Sequence, residues 1–155
     1  MKDPIATSAE AMENAAMPIA RVAHSDPDAP KTCEQQPLPE AVTKKTPEQK
    51  TPAEWAYERI ILYIQNFEEQ LDGDHEVGMG FAGGDVGNIR IEGVGFFAPD
   101  LITFYGSDEA GAKTQLVQHV SQLNVMLKAA RKLREDAAPN RIGFNLAASL
   151  DNDAD

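Results

Sequence analysis

Cysteine and long apolar runs are scarce in this sequence, and each shortage excludes a class of protein. The 155 residues include one cysteine, Cys33, so the chain has no internal disulfide framework, which fits a reducing compartment. No stretch approaches the roughly 18 consecutive apolar residues that a membrane-spanning helix needs. The first residues also lack the unbroken apolar run of a signal peptide. We therefore expect a cytoplasmic protein without a membrane partner.

Positive charge is also in short supply. The chain has 14 Lys and Arg residues against 25 Asp and Glu residues, a formal net charge of −11. The excess is spread along the chain: 6 basic and 8 acidic residues in 1–50, 7 and 12 in 51–134, and 1 and 5 in 135–155. Because contacts of Lys and Arg with phosphates dominate binding to nucleic acids, we expect no nucleic-acid partner.

Aromatic residues are missing from the first fifty positions, which hold seven of the ten prolines. A segment so poor in large apolar side chains cannot offset the entropy of ordering its backbone. The composition therefore predicts a disordered tail at 1–50 and a small domain at 52–134. The acidic residues 135–155 are predicted to form a second, mostly disordered tail, although Ile142, Phe144 and Leu146 could dock as a short strand or a peptide ligand.

The segment TPAEWAYERIILYIQNFEEQLDG, from Thr51 to Gly73, predicts an amphipathic helix. Thr51 and Glu54 match a capping box, and Pro52 suits the first turn. Apolar residues recur at helical spacing along one face, and Gly73 follows as a stop signal. The stripe consists of Ala56, Ile60, Tyr63, Ile64, Phe67 and Leu71.

Three strands are predicted after this helix. Residues 75–81 alternate between apolar and other side chains, and a glycine-rich turn follows at 82–88. Residues 88–97 change apolar phase around Gly93, which indicates a bulge. With a third strand at 101–106, the pattern predicts an antiparallel meander.

The stretch from Thr114 to Arg134 fits two interpretations. Its apolar residues at helical spacing favour one long helix, whereas 114–118 could also be a fourth short strand followed by a helix from Ser121. We favour the longer helix. The expected fold is then α+β: a helix, a three-stranded antiparallel meander and a second helix, with both helices packed on one face of the sheet.

Motifs for catalysis or cofactor binding are weak. Residues 78–83 match G-x-G-x-x-G, but a turn and a strand follow instead of the helix that a dinucleotide site needs. The run Asp72–Glu76 is rich in carboxylates but lacks the spacing of a calcium loop or a second nearby zinc ligand. His119 and Ser121 would point apart on a helix, so they cannot form a nucleophile–base pair. We expect no enzyme activity, no cofactor and no metal.

One flank of the predicted second helix carries no charge before Lys128, which is unusual in an acidic chain. Solvated helix faces usually alternate Glu and Lys, whereas protein interfaces deplete charge at their centre. Two residues of the first helix also lie off its core stripe. These features predict a protein-interaction surface, with self-association to a homodimer favoured, that includes Gln115, His119, Gln122, Met126, Trp55 and Leu62.

Two other functions stay open at this point. A small enzyme could use carboxylates and His119 for acid–base chemistry. An acidic decoy could occupy a nucleic-acid-binding partner if its carboxylates were spaced like phosphates. The residues for that role are Asp72, Asp74, Asp85 and Glu92.

The runs WAYERIILYIQNFE and PDLITFYGSDEAGAKTQLVQHVSQLNVML carry a resemblance to a known family. They are similar to a bacterial domain family of unknown function, and the likeness covers about residues 53–131. The resemblance implies a recurring folded unit with a variable tail. It supplies no activity, ligand or site residue.

Overall fold

The computed structural model describes residues 20–81 and 88–153. Three helices and five strands account for most of them, and single 3-10 turns lie at Cys33–Gln35, Pro47–Gln49 and Val120–Gln122. The elements in chain order are α1 (Glu40–Thr43), α2 (Pro52–Glu69), β1 (His75–Phe81), β2 (Asn88–Phe97), β3 (Leu101–Ser107), β4 (Lys113–His119), β5 (Val125–Arg131) and α3 (Gly143–Asp153). The predicted turn at 82–88 and the predicted tail at 1–50 each fall partly on residues outside the described ranges.

The long helix α2 begins where its capping signals predict. The Thr51 hydroxyl accepts a hydrogen bond from the backbone N–H of Glu54 at 3.3 Å, with Pro52 in the first turn. Ile60 and Ile64 on the predicted stripe are buried. The helix ends at Glu69, one turn before Gly73, because the chain must turn there to enter β1.

All five strands form one antiparallel sheet in the order β4-β3-β2-β1-β5. The predicted strands are present as β1, β2 and β3, within a sheet larger than the predicted meander. The register of β2 against β3 shifts between Ile91 and Gly93, at the expected bulge. The fold class is therefore α+β, with helices packed against the sheet.

The predicted helix over 114–134 is wrong. The chain there forms β4 and β5, so the strand interpretation of 114–118 is correct but a helix from Ser121 is not. Leu116 and Leu127 satisfy helical spacing, yet they also fit the alternation in which every second residue faces the core. Pairing of β4 with β3 and of β5 with β1 decides between the two patterns, because strand formation depends on non-local neighbours.

The short connection from β4 to β5 forces the sheet to curve. Residues 120–124 join the two outermost strands of five, whose separation in a flat sheet would be about 19 Å at roughly 4.8 Å per strand. A five-residue link that includes a 3-10 turn reaches about 16 Å. The sheet therefore wraps around α2, and the enclosed side chains form the core: Ile61, Ile64, Val77, Met79, Ile89, Ile91, Ile102 and Phe104.

The packed unit extends beyond residues 52–134 on both sides. Val42 of α1 is buried, and so are Leu146 and Leu150 of α3, which packs against α2. Two buried carboxylates hold the start of α3. Glu68 accepts the backbone N–H groups of Ile142 and Gly143, each at 2.9 Å, and Glu76 accepts that of Asn140 at 2.8 Å. The position of the short helix α3 therefore depends on carboxylates fixed on α2 and β1.

Candidate interaction surface

Strand β4 forms one edge of the sheet and is regular along its whole length. Its seven residues match β3 without a bulge, from Lys113 opposite Ser107 to His119 opposite Leu101. On its other side no strand pairs with it among residues 20–81 and 88–153. Natural edge strands are usually protected by proline, bulges or inward charges. β4 has none of these, and Lys113 at its first position is its only Lys, Arg, Asp or Glu.

The outward side chains of β4 continue an uncharged surface from β3. Gln115 and Val117 face solvent, and Val117 is 55% exposed. Tyr105 lies opposite Gln115 on β3 and is 41% exposed. Its ring covers Gly93 and Gly95 of β2, since a Cβ at either glycine would meet it at 3.6 Å. An aromatic ring supported on glycines offers a rigid apolar contact at low entropic cost.

His119 ends this row and ties β4 to the turn between β2 and β3. Its Nε2 lies 3.0 Å from the Asp100 carboxylate, and its Nδ1 lies 2.8 Å from the Ser121 hydroxyl. The prediction that His119 and Ser121 point apart is therefore wrong, because the chain is not helical there. All three side chains are within hydrogen-bonding reach, as in a catalytic triad.

Local geometry favours a structural role for these three side chains. The backbone N–H of Ser121 also approaches Nδ1, at 3.1 Å, and competes for the lone pair that would accept a hydroxyl proton in nucleophilic catalysis. Both His119 and Asp100 are nearly half exposed, so water screens their interaction. The imidazole caps the 3-10 turn at Val120–Gln122.

The six predicted interface residues do not form one strip. Gln115 and His119 share the outward face of β4, and the exposed Gln122 follows in the 3-10 turn. Met126 also faces outward, but on β5 at the opposite edge of the sheet. Val117 and Tyr105 were not in the predicted set, and the alternating pattern of 113–119 is the signal that would have added them.

Trp55 and Leu62 of α2 have partners within the chain. The guanidinium of Arg59 lies 3.3 Å from the centre of the Trp55 ring, a cation–π contact. Leu62 is only 7% exposed and belongs to the core cluster against which Cys33 and Leu38 of the N-terminal segment pack. Both predicted interface residues of α2 therefore have contacts within the chain.

A hydrogen bond fixes this N-terminal segment to α2. The Tyr63 hydroxyl donates to the Glu34 carboxylate, and the Asn66 amide donates to the carbonyl of Lys31 at 3.3 Å. The Tyr63 bond, with a smaller contribution from burial, raises the pKa of the phenol from 10.0 to about 12. The same bond lowers the pKa of Glu34.

We expect Tyr63 to stay protonated at a pH that ionises an ordinary tyrosine. Since the folded chain raises the pKa of Tyr63, this bond stabilises the fold fully below about pH 10 and loses its contribution as the pH rises through about 12. The difference in tyrosinate absorbance between wild type and Tyr63→Phe should titrate near pH 12. A difference that titrates near pH 10 would show that the bond to Glu34 is absent in solution.

The acidic residues of the decoy hypothesis lie in separate places. Asp72 and Asp74 are in the turn before β1, where Asp72 contacts His75 at 2.6 Å, and Glu92 is exposed at the bulge of β2. Asp85 lies outside the described residues, as do the last two positions of the 78–83 glycine motif. Within the described ranges no group of three His, Cys, Asp or Glu residues could hold a metal ion.

None of the described helices is both long and apolar enough to cross a membrane.

Comparisons with known proteins and protein families identify the family of this chain. No curated protein and no solved structure matches the chain significantly. The match that is found spans residues 47–145, from the 3-10 turn before α2 to the start of α3. The chain therefore belongs to DUF6173, a family of unknown function, which confirms the resemblance seen in the sequence.

Proposed function

We propose that this chain is a protein-interaction module that self-associates through the free edge of β4. The observation that carries this proposal is a regular seven-residue edge strand that has no proline, bulge or inward charge and only one lysine, at its first position. Addition of a strand to such an edge satisfies backbone N–H and C=O groups that otherwise face water. The proposal includes no catalytic role and places the module in the cytoplasm, in keeping with its single cysteine.

The sequence of β4 suits antiparallel pairing with a second copy of itself. A two-fold axis at Leu116 puts Gln115 of one copy opposite Val117 of the other, so no like charges meet across the pair. The same register brings Lys113 of one copy to His119 of the other, whose ring already contacts Asp100.

Overall charge also favours contact through a sheet edge. With a net charge of −11, two copies repel each other at most orientations. Neither edge strand contains Asp or Glu, so contact at a sheet edge brings few carboxylates together. Lys128 and Arg131 on β5 are charges of the kind that keep edge strands from pairing, whereas β4 has only Lys113 at its first position. A seven-residue strand pair is smaller than the standard interface of about 1,600 Å², so we expect a dimer that dissociates on dilution.

A matched pair of glutamate substitutions tests the proposal. Val117 on β4 and Met126 on β5 face outward at opposite sheet edges and are each 55% exposed. Val117→Glu places two new carboxylates within one β4 pair and should weaken the dimer at least about tenfold, as expected for like charges held together. Met126→Glu adds the same charge at the other edge and should leave the dimer unchanged. Sedimentation equilibrium over a dilution series measures both constants.

Three results would contradict the proposal. A wild-type chain that is monomeric at all concentrations removes self-association altogether. A dimer that Met126→Glu weakens and Val117→Glu does not would place the interface on β5 instead. Equal weakening by both variants would indicate a general charge effect without a specific edge.

A further inference from the structure

A cavity of about 310 Å³ lies where α1, α2, β2 and α3 meet. It is on a different part of the molecule from the β4 edge. Ligand-binding cavities in proteins begin at about this size. The N-terminal segment forms one wall of the cavity through Ala41 and Lys45, and α2 forms another through Tyr57 and Glu58. The site therefore exists only when residues before α2 are folded onto it.

The floor of the cavity is a buried ion pair. The Lys50 side chain is only 2% exposed, and its ammonium lies 2.6 Å from the Glu58 carboxylate while also donating to the carbonyl of Val42. Arg59 approaches the same carboxylate at 3.5 Å. Because two cations neutralise Glu58, this carboxylate does not make the floor a site for cations.

The mouth of the cavity is positively charged. Lys44 and Lys45 line it together with Glu54. The Lys45 ammonium lies 3.7 Å from the Glu54 carboxylate, beyond hydrogen-bonding distance, and its side chain is 58% exposed. An ammonium group has three N–H donors, so Lys45 can bind an incoming anion. Three lysines and two glutamates make this lining positive in a chain whose net charge is −11.

The remaining walls are apolar and aromatic. The rings of Tyr57 and Phe96 have their centres 4.9 Å apart at an angle of 52°, and Leu150 of α3 also lines the cavity. Aromatic and aliphatic walls favour flat apolar groups. The charged mouth and the apolar walls together define an amphipathic ligand.

We propose that this cavity binds a small anion, a carboxylate or a phosphate monoester, that carries a flat apolar body. The anionic group contacts Lys45 at the mouth, and the apolar body lies against Tyr57, Phe96 and Leu150. Binding ties α1 and α3 to the rest of the fold, because both contribute to the walls.

Simple aromatic compounds test this assignment on the full chain. Phenyl phosphate and benzoate supply the two anionic groups, and benzylamine supplies the opposite charge on a similar ring. In ¹H–¹⁵N spectra, at least one of the two anions should shift the amides of Ala41, Tyr57, Phe96 and Leu150 with a common saturation curve in the millimolar range. Which anion binds more tightly identifies the preferred head group. Benzylamine should produce no saturable shift there.

Two variants locate the binding site. Lys45→Gln should weaken binding of the anion about tenfold, the typical cost of losing a hydrogen bond to a charged group. Lys128→Gln, a change of the same kind on the exposed face of β5, should leave the affinity within about twofold of wild type. Ala41→Phe fills the cavity without changing its charge and should abolish binding while the spectrum stays that of a folded chain.

The proposal is overturned if neither anion gives saturable shifts at these amides, or if benzylamine binds as tightly. It is also overturned if Lys45→Gln and Lys128→Gln have equal effects, which would show unspecific attraction to positive charge. None of these three results depends on the oligomeric state, so this test and that of the β4 dimer can fail separately.

Discussion

Replacing Gly106 with alanine is expected to lower the free energy of unfolding by about 3 kcal/mol or more, the upper range for overpacked buried sites. Gly106 is buried on β3, opposite Ile91 of β2. A Cβ there would lie 2.0 Å from the carbonyl oxygen of Arg90 and 3.0 Å from the Ile89 side chain. The carbonyl belongs to the backbone of β2, so relief requires the two strands to separate.

Chemical denaturation followed by circular dichroism measures this loss. Gly73→Ala is the matched control, since nothing lies within 4 Å of the added Cβ in the turn before β1. It should leave stability unchanged or raise it by roughly 0.5 kcal/mol, through the lower entropy of the unfolded chain. Equal stabilities for the two variants would refute the close contact between β2 and β3.

Removing the carboxylate of Glu68 is expected to release α3 from α2. Glu68→Ala leaves the partly buried N–H group of Ile142 and the buried N–H group of Gly143 without their acceptor. An unsatisfied buried donor costs about 1 to 3 kcal/mol, so the expected loss of stability is about 2 to 4 kcal/mol for two of them. Hydrogen exchange at Ile142, Gly143 and Leu146 should accelerate more than exchange in β1.

The neighbouring Glu69 provides the control for this prediction. Glu69 is exposed on α2, and Glu69→Ala removes the same charge from the same helix turn without touching α3. It should change stability by less than about 0.5 kcal/mol. Gly143→Ala is an independent check. The added Cβ would lie 2.9 Å from the Cα of Gln65, so this substitution should also loosen the contact of α3 with α2. If exchange in α3 is unaffected by both Glu68→Ala and Gly143→Ala, the docked helix is not the solution structure.

The parts of the fold that could be predicted are those with local signals. Thr51, Pro52 and Glu54 mark the start of α2 with a capping pattern that needs no tertiary contact. The alternation in β1 and the phase change at Gly93 likewise depend on neighbours along the chain. Such patterns are sufficient for α2 and for the strands β1 to β3.

The parts that could not be predicted depend on distant partners. Leu116 and Leu127 satisfy helical and strand spacing equally, and the pairing of β4 with β3 and of β5 with β1 decides between them. The order of α3 depends on Glu68 and Glu76, which precede it by more than sixty residues. The sequence of residues 143–153 therefore does not by itself indicate that this segment docks on Glu68 and Glu76.

The candidate interaction surface was predicted in part for the same reason. The absence of charge around Gln115 and His119 is a property of composition, and it holds whether the segment is helix or strand. The grouping with Met126, Trp55 and Leu62 assumed a helical arrangement. Because residues 113–131 form two strands, Met126 lies at the opposite edge of the sheet, whereas Tyr105 and Val117 lie on the same face as Gln115.

The pairing of β5 with β1 affects the order in which the chain folds. The β2–β3 and β3–β4 hairpins close loops of only a few residues, whereas β5 pairs with β1 across about fifty residues of sequence. Loop-closure entropy makes such a distant pairing slow. We therefore expect β5 to join the sheet after the two hairpins, and until it does, the outer side of β1 is an open template for strands of neighbouring chains. Newly made chains are most vulnerable to aggregation in that interval.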